Sequence, residues 1–390
     1  MASSTSHPTL FSPLKLGETL TLPNRVVMAP MSRGRATSAL KANELMAEYY
    51  ASRASAGLLI TEGTHTSVMG RGWFHTPELV TSDDAKAWRI VTDKVHEAGG
   101  RIFCQMWHAG RASHSAFRDG EDGYEGEKKL SVAPSAIKRA SEAGKQRHTP
   151  RGGEVDVETP RAMTVEEIEA LPEEFRNAAQ VARDGGFDGV EIHGANGFLL
   201  DTFMQSCSNH RTDQYGGSLE NRFRIVDACI RAVLTVFEPE CVGIRIAPNG
   251  VYNGMGSDDF RESFLYYARR FSEYKLGYMH VMIGLGFGFH NKGKPMTIAE
   301  LKKEFPGPII ANVGFDADSA EKELSEGGAD LVAFGRPFLS NPDLVEKMQE
   351  GRELRPMLPM EYWYTSKENV WTSEGYTDLS VMDEPVEAKE

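Results

Sequence analysis

The stretch Gly189–Met204, GVEIHGANGFLLDTFM, begins as an apolar strand and does not end as one. Val190 and Ile192 read as core, and the strand should stop near His193. His193 and Asn196, both hydrogen-bond donors, stand at that point and are followed by the wholly apolar Phe198. A buried strand that opens into polar groups, then into the apolar LLDTFM, is half of a β/α unit. The fold depends on whether such units repeat.

They do. Short β-rich runs occur at Arg25–Pro30 (RVVMAP), Gly57–Gly63 (GLLITEG), Arg101–His108 (RIFCQMWH), Gly189–Gly194, Val242–Pro248 (VGIRIAP), Tyr278–Gly284 (YMHVMIG), Pro308–Gly314 (PIIANVG) and Leu331–Pro337 (LVAFGRP). Most are nearly continuous Val/Ile/Leu runs, as expected of strands covered on both faces. Helix-length segments lie between them. SDDAKAWRIVTDKVHEAGG places an N-cap at Ser82 and a stop at Gly99. Thr164 followed by Glu167 predicts a capping box, another helix starts at Ser218, and a further one ends at Gly327-Gly328. Repeated strand–helix alternation predicts a single α/β domain, a (β/α)₈ barrel, over about residues 10–378.

Two segments depart from a minimal barrel. LKLGETLTL (Leu14–Leu22) alternates leucine with polar residues around Gly-Glu, which predicts a hairpin plugging the barrel bottom. The span from Ala109 to Arg161 is too long for an ordinary loop and predicts an excursion or lid over the mouth. Residues 1–9 and the acidic residues 379–390 read as loose tails.

Composition narrows the functional classes. The 390 residues are 40% hydrophobic and 25% charged, as in soluble globular proteins. The formal charge of −13 argues against nucleic acid or an anionic membrane as partner. No apolar run is long enough for a membrane span, and no basic-then-apolar leader opens the chain. Cys104, Cys207, Cys229 and Cys241 are scattered without paired spacing, which suits reduced thiols and a cytoplasmic location.

Barrel active sites gather at the carboxyl ends of the strands. Those ends carry Pro30, Met31 and Ser32; Glu62 and Gly63; Gln105, Trp107 and His108; His193 and Asn196; Arg245; Gly314; and Gly335 with Arg336. Glycines after the seventh and eighth strands beside an arginine suit a phosphate. Arg245 on an apolar strand needs an anionic partner, for which reduced flavin and Asp213 are the alternatives. No Gly-x-Gly-x-x-Gly follows a strand, so a Rossmann dinucleotide site is not expected.

NRVVMAPMSR, QMWHAGR, HGANGFLLDTF, RTDQYGGSLENR, VGIRIAP, NVGF, FGRPFLSNPDL and EGYTD occur in this order between about Leu10 and Asp378. The series resembles the successive motifs of the old yellow enzyme family, FMN-dependent ene-reductases on a (β/α)₈ barrel. The resemblance implies bound FMN and NADPH as hydride donor, with an electrophilic alkene as second substrate in a ping-pong cycle. It implies that Pro30, Met31 and Ser32 approach the flavin, with the Ser32 hydroxyl near O4 and N5. Gly63 would pass beneath the ring, Gln105 would hold its pyrimidine edge, and Arg245 would face N1 and O2. Gly314, Gly335 and Arg336 would take the phosphate. His193 and Asn196 would bind the oxygen of the substrate's activating group, drawing charge from the conjugated C=C as an oxyanion hole does.

The departures are specific. Phe198 stands where the family usually has a tyrosine that protonates the α-carbon. Ser32 replaces a more usual threonine, and Trp73 replaces a common tyrosine at the pocket mouth. The C-terminal segment does not align well enough to choose which of Trp363, Tyr364 and Trp371 faces the ligand. Phe198 also raises a second reading, isomerisation of enones by return of the hydride. From another class, a metal-dependent barrel hydrolase would use His65, His108 and His193, but the ligand spacing expected of such a site is missing. A non-catalytic binding barrel is a poorer fit to so many polar groups at the mouth.

Overall fold

In the computed structural model the chain is described for residues 6–140, 145–146, 149, 155–365 and 371–383. Eight parallel strands follow one another around a closed barrel: Val26–Met28, Leu58–Ile60, Ile102–Trp107, Gly189–His193, Val242–Ile246, Tyr278–Met282, Ile309–Asn312 and Leu331–Phe334. The last pairs with the first, Val332 opposite Val26, and closes the ring. Sequence order and spatial order coincide, as consecutive β/α units require. Thr64–His65 adds a short extra pairing to the third strand.

Strand side chains alternate between two cores. Val26, Met28, Leu59, Ile102, Cys104, Val190, Ile192, Val242 and Ile244 point outward. There they meet helix residues such as Trp88, Phe175, Phe223 and Tyr267. Val27, Leu58, Ile60, Phe103, Tyr278, Ile310 and Leu331 point inward. The hairpin Leu14–Leu16/Leu20–Leu22 inserts Leu16, Leu20 and Leu22 into that inner cluster, so it does plug the lower end. Each of these leucines, fully buried, contributes about 1.5–3 kcal/mol.

The capping box at Thr164 and Glu167 and the cap at Ser218 form where expected. The helix of residues 82–97 begins one residue earlier than the sequence suggests. Thr81, not Ser82, is the extended cap residue, and its N–H donates to Asp84 Oδ2 at 2.7 Å. Asp84 reaches back from the third helical position, which decides between two adjacent hydroxyl residues.

The long span after the third strand is described in part, and its residues 141–144, 147–148 and 150–154 lie outside the described residues. Its strand Val132–Ala133 pairs with Arg161–Ala162, and Arg111 Nη2 donates to Asn253 O at 3.0 Å. Among the described residues of this span none lines the central cavity, and Arg111 and Ala140 pack against the fifth βα loop. Part of the N-terminal segment expected to be loose is pinned: His7 Nε2 lies 2.7 Å from Asp318 Oδ1, and Thr9 N donates to Glu321. Leu379, Val381 and Met382 likewise pack with Leu339 and Leu358, so the C-terminal tail is attached at its start. Residues 1–5 and 384–390 lie outside the described residues.

Candidate active site

Two adjoining cavities open at the carboxyl ends of the strands, one of about 270 Å³ and one of about 460 Å³. Pro30, Met31, Arg245, Phe287 and Arg336 line both, so they make one trough. The first also takes in Ser32, Gly63, Trp73, Gln105, Trp107, His193, Asn196 and Phe198, and the second takes in Gly314 and Gly335. The residues expected to hold flavin or substrate are therefore brought to one place, whereas Glu62 and His108 line neither cavity.

The floor is built from inward positions of neighbouring strands. A Cβ on Gly63 would stand 3.0 Å from the Trp107 ring and 3.3 Å from Gln105 Oε1, so only glycine keeps that surface flat. Gln105 Nε2 donates to Glu191 at 2.7 Å. Arg245 is buried, and its Nη2 donates to Asn312 Oδ1 at 2.9 Å while its Nε has no protein partner. Asp213, the carboxylate considered for Arg245, pairs instead with Arg211 at 2.5 Å. An unpartnered N–H of a buried guanidinium is costly, and the same side chain borders both cavities.

On the opposite side, the turn after the fourth strand aims two donors inward. His193 Nδ1 accepts from Ala195 N at 3.3 Å, which leaves the ring hydrogen on Nε2. Burial, then Arg245 and His280, holds this imidazole well below its usual pKa, so it is a neutral N–H donor. Asn196 sits at φ +62°, left-handed backbone that asparagine tolerates, and Gly197 follows at φ +69°. The Asn253 side chain fixes this turn by donating to Asn196 O at 2.8 Å. Phe198 stands edge-on to Trp107 (4.9 Å between centroids) and to His193 (4.8 Å).

The remaining wall comes from the C-terminal segment, and here the open choice is resolved. Trp363 and Tyr364 line the cavity, with Tyr364 against Trp73 at 4.9 Å. Trp371 stands apart, edge-on to His75, and donates to Ala36 O. Arg33, not anticipated from the sequence, makes this wall possible. Fully buried, it donates to Trp363 O (2.7 Å), Tyr362 O (3.1 Å) and Gly375 O (2.8 Å). Its own N–H and that of Gly34 donate to Glu62, whose carboxyl burial pushes up to about 7.

At the far end of the trough, Val313 and Gly314 have φ +82° and +90°. Positive φ at a β-branched residue is strained and turns the chain sharply beside Gly335 and Arg336. No cluster of metal-ligating side chains exists among the described residues. His65 is stacked on Trp107 at 4.8 Å, and His108 Nδ1 accepts from Gly110 N, so neither is poised as a ligand.

A closed (β/α)₈ barrel with this trough at its carboxyl face defines a class: flavin-dependent oxidoreductases built on such barrels. Residues 9–355 match the NADH:flavin oxidoreductase / NADH oxidase family, and the chain belongs to that family, among the old yellow enzymes. It is 34% identical to a protein of Leishmania infantum named a probable flavin mononucleotide-dependent alkene reductase, over 98% of this chain and 100% of that one. The structure of an old yellow enzyme homologue from Zymomonas mobilis superposes with a TM-score of 0.87 at 36% identity, covering 95% of this chain and 99% of the other. Morphinone reductase in complex with tetrahydroNAD gives a TM-score of 0.84 at 38% identity, covering 95% and 97%.

Proposed function

We propose that this oxidoreductase is an FMN-dependent ene-reductase that uses NADPH to reduce alkenes conjugated to a carbonyl or similar oxygen-bearing group. The observation that carries this is the pair of donors, neutral His193 and Asn196, facing the same cavity as a flat, polar-edged floor. When bound, FMN would supply a two-electron carrier between the nicotinamide and the alkene. Pro30, Met31, Ser32, Gly63, Gln105 and Arg245 would hold its ring, and Gly314, Gly335 and Arg336 its phosphate. The fit is supported by the bare Gly63 surface and by the buried cation Arg245 on the cavity lining, which suits an electron-rich ring edge. The names of the relatives, an alkene reductase and a reductase complexed with tetrahydroNAD, support the same reading.

His193 and Asn196 would bind the substrate oxygen and stabilise the charge that gathers there. Trp73, Trp107, Phe198, Trp363 and Tyr364 would shape the space around the carbon skeleton. A second reading, isomerisation of the conjugated alkene, is favoured by one observation: Phe198 offers no proton where its ring meets the cavity. The test is direct. Purified protein is expected to be yellow, to bleach with NADPH under nitrogen faster than with NADH, and to recover its colour on adding an enone. A colourless protein that takes up no FMN overturns the proposal.

The Ser32 hydroxyl lines the cavity beside Met31. One hydrogen bond donated to the reduced ring stabilises it by about 1 kcal/mol, or roughly 20 mV for a two-electron couple. Ser32→Ala is expected to lower the potential of the bound flavin by that amount, and potentiometric titration without a downward shift refutes the placement. Because His193 is neutral far into the acid range, phenol affinity should follow only the ionisation of the phenol between pH 6 and 9. A break near the ordinary histidine pKa in that titration would mean that His193 charges.

A further inference from the structure

Five adjacent strands carry polar side chains at inward positions of an otherwise apolar barrel: Gln105, Glu191, Arg245, His280 and Asn312. Glu191 is at the centre and has no solvent exposure. It accepts from Gln105 Nε2 at 2.7 Å and lies 2.8 Å from His280 Nδ1. Arg245 donates to Asn312 Oδ1 at 2.9 Å, and Asn312 donates onward to Ala333 O at 2.8 Å. The belt thus runs directly behind the two polar groups of the cavity floor.

Burying a carboxylate is expensive, and a purely structural position of this kind is filled as well by apolar residues. Burial works against ionisation of Glu191, yet the hydrogen bonds from His280 and Gln105 and the charge of Arg245 favour its carboxylate and hold it below the ordinary value. Burial keeps His280 below its ordinary value, so it is neutral and donates its Nδ1–H to Glu191. The belt then contains one anion, Glu191, and one cation, Arg245. Its hydrogen bonds also have a direction. With the Gln105 NH₂ group committed to Glu191, the Gln105 oxygen is the end left toward Gly63, 3.3 Å from where a Cβ there would stand.

We propose that Glu191 is a positioning residue for the flavin: it turns the Gln105 carboxamide so that the oxygen meets the N3–H donor of the isoalloxazine, and its charge offsets Arg245. The proposal rests on the FMN reading above. It assigns the two functions of the floor, recognition of the ring edge and control of its redox equilibrium, to one group that touches neither ligand nor solvent.

The experiment uses protein loaded with ¹⁵N-labelled FMN. It measures the midpoint potential, the FMN dissociation constant and the N3–H signal in wild type, Glu191→Gln and Glu191→Asp. Glutamine keeps an oxygen for Gln105 but removes the charge. Arg245 is then uncompensated and favours the reduced, anionic flavin over the oxidised one by about tenfold, an upward shift of about 30 mV. Aspartate keeps the charge and shortens the reach, so the potential stays near wild type while N3–H exchanges faster with water. An unmoved potential in Glu191→Gln, with FMN bound as tightly as in wild type, overturns the proposal alone. Failure of wild type to bind FMN overturns the functional reading and this proposal with it. If Glu191→Gln does not fold, the other two proteins decide: a wild-type N3–H that exchanges freely, or an Asp variant indistinguishable from wild type in N3–H exchange, refutes the positioning role.

Discussion

Phenolates stacked on oxidised flavin are expected to give a long-wavelength charge-transfer band, and replacing His193 and Asn196 together by alanine is expected to abolish it. A phenolate oxygen presents the same charge that a reduced carbonyl gathers, so it reports on the donors without turnover. A hydrogen bond to a charged acceptor is worth about 1.5–3 kcal/mol. Losing two therefore weakens phenol binding by at least about 10²-fold. FMN stays bound, because neither residue belongs to the proposed ring or phosphate contacts. One complication is local. Asn196 has φ +62°, and alanine in left-handed backbone costs roughly 1–2 kcal/mol, which would lower the melting temperature. Asn196→Gly removes the same amide without that strain, so paired with His193→Ala it separates lost recognition from lost stability. A double variant that titrates phenol as tightly as wild type means the donors bind something else.

The barrel was legible because the strands announce themselves locally: apolar, short and, in all but the third, closed by glycine or proline. Gln105 and Arg245 were visible for the opposite reason, as polar residues in apolar runs. Glu191, His280 and Asn312 carry the same signal in GVEIH, YMHVM and IIAN, and counting inward positions at period 2 would have found them. Arg33 was harder. Its partners, Tyr362, Trp363 and Gly375, lie more than 300 residues away, and the acceptors are backbone carbonyls that no side-chain pattern encodes. For the same reason the choice among Trp363, Tyr364 and Trp371 could not be read locally. Arg33 anchors the Tyr362 and Trp363 carbonyls beside the cavity, with Tyr364 next along the chain, and the Ala36 carbonyl takes Trp371 away. Where the excursion after the third strand docks was not legible, because composition predicts its length and polarity but not the Arg111–Asn253 contact that holds its described part against the fifth βα loop.

Phe198→Tyr is the substitution expected to raise activity most. The phenylalanine ring is held at two edges, by Trp107 at 4.9 Å and by His193 at 4.8 Å, so a tyrosine ring fits the same space. Its added hydroxyl would enter the cavity that Phe198 lines. A positioned general acid accelerates a protonation-limited step by roughly 10²–10⁴. Strongly activated alkenes need little of this, because the charged product of the first step survives until water protonates it. Weakly activated enones need most of it. The expected result is therefore graded: reoxidation of the reduced enzyme by weak enones speeds up by about 10² or more, while strong acceptors and the NADPH half-reaction hardly change. Isomerised substrate, expected from wild type if protonation lags, should fall in the same series. Two other phenols touch this cavity, Tyr364 and the half-exposed Tyr252. Burial pushes the Tyr364 hydroxyl upward, which makes it a weaker acid but keeps its proton in place. If either already delivers the proton, stopped-flow traces for wild type and Phe198→Tyr will coincide across the whole enone series, and Tyr364→Phe or Tyr252→Phe will slow both. In that case Phe198 is only a wall, and the isomerisation reading loses the one observation that favours it.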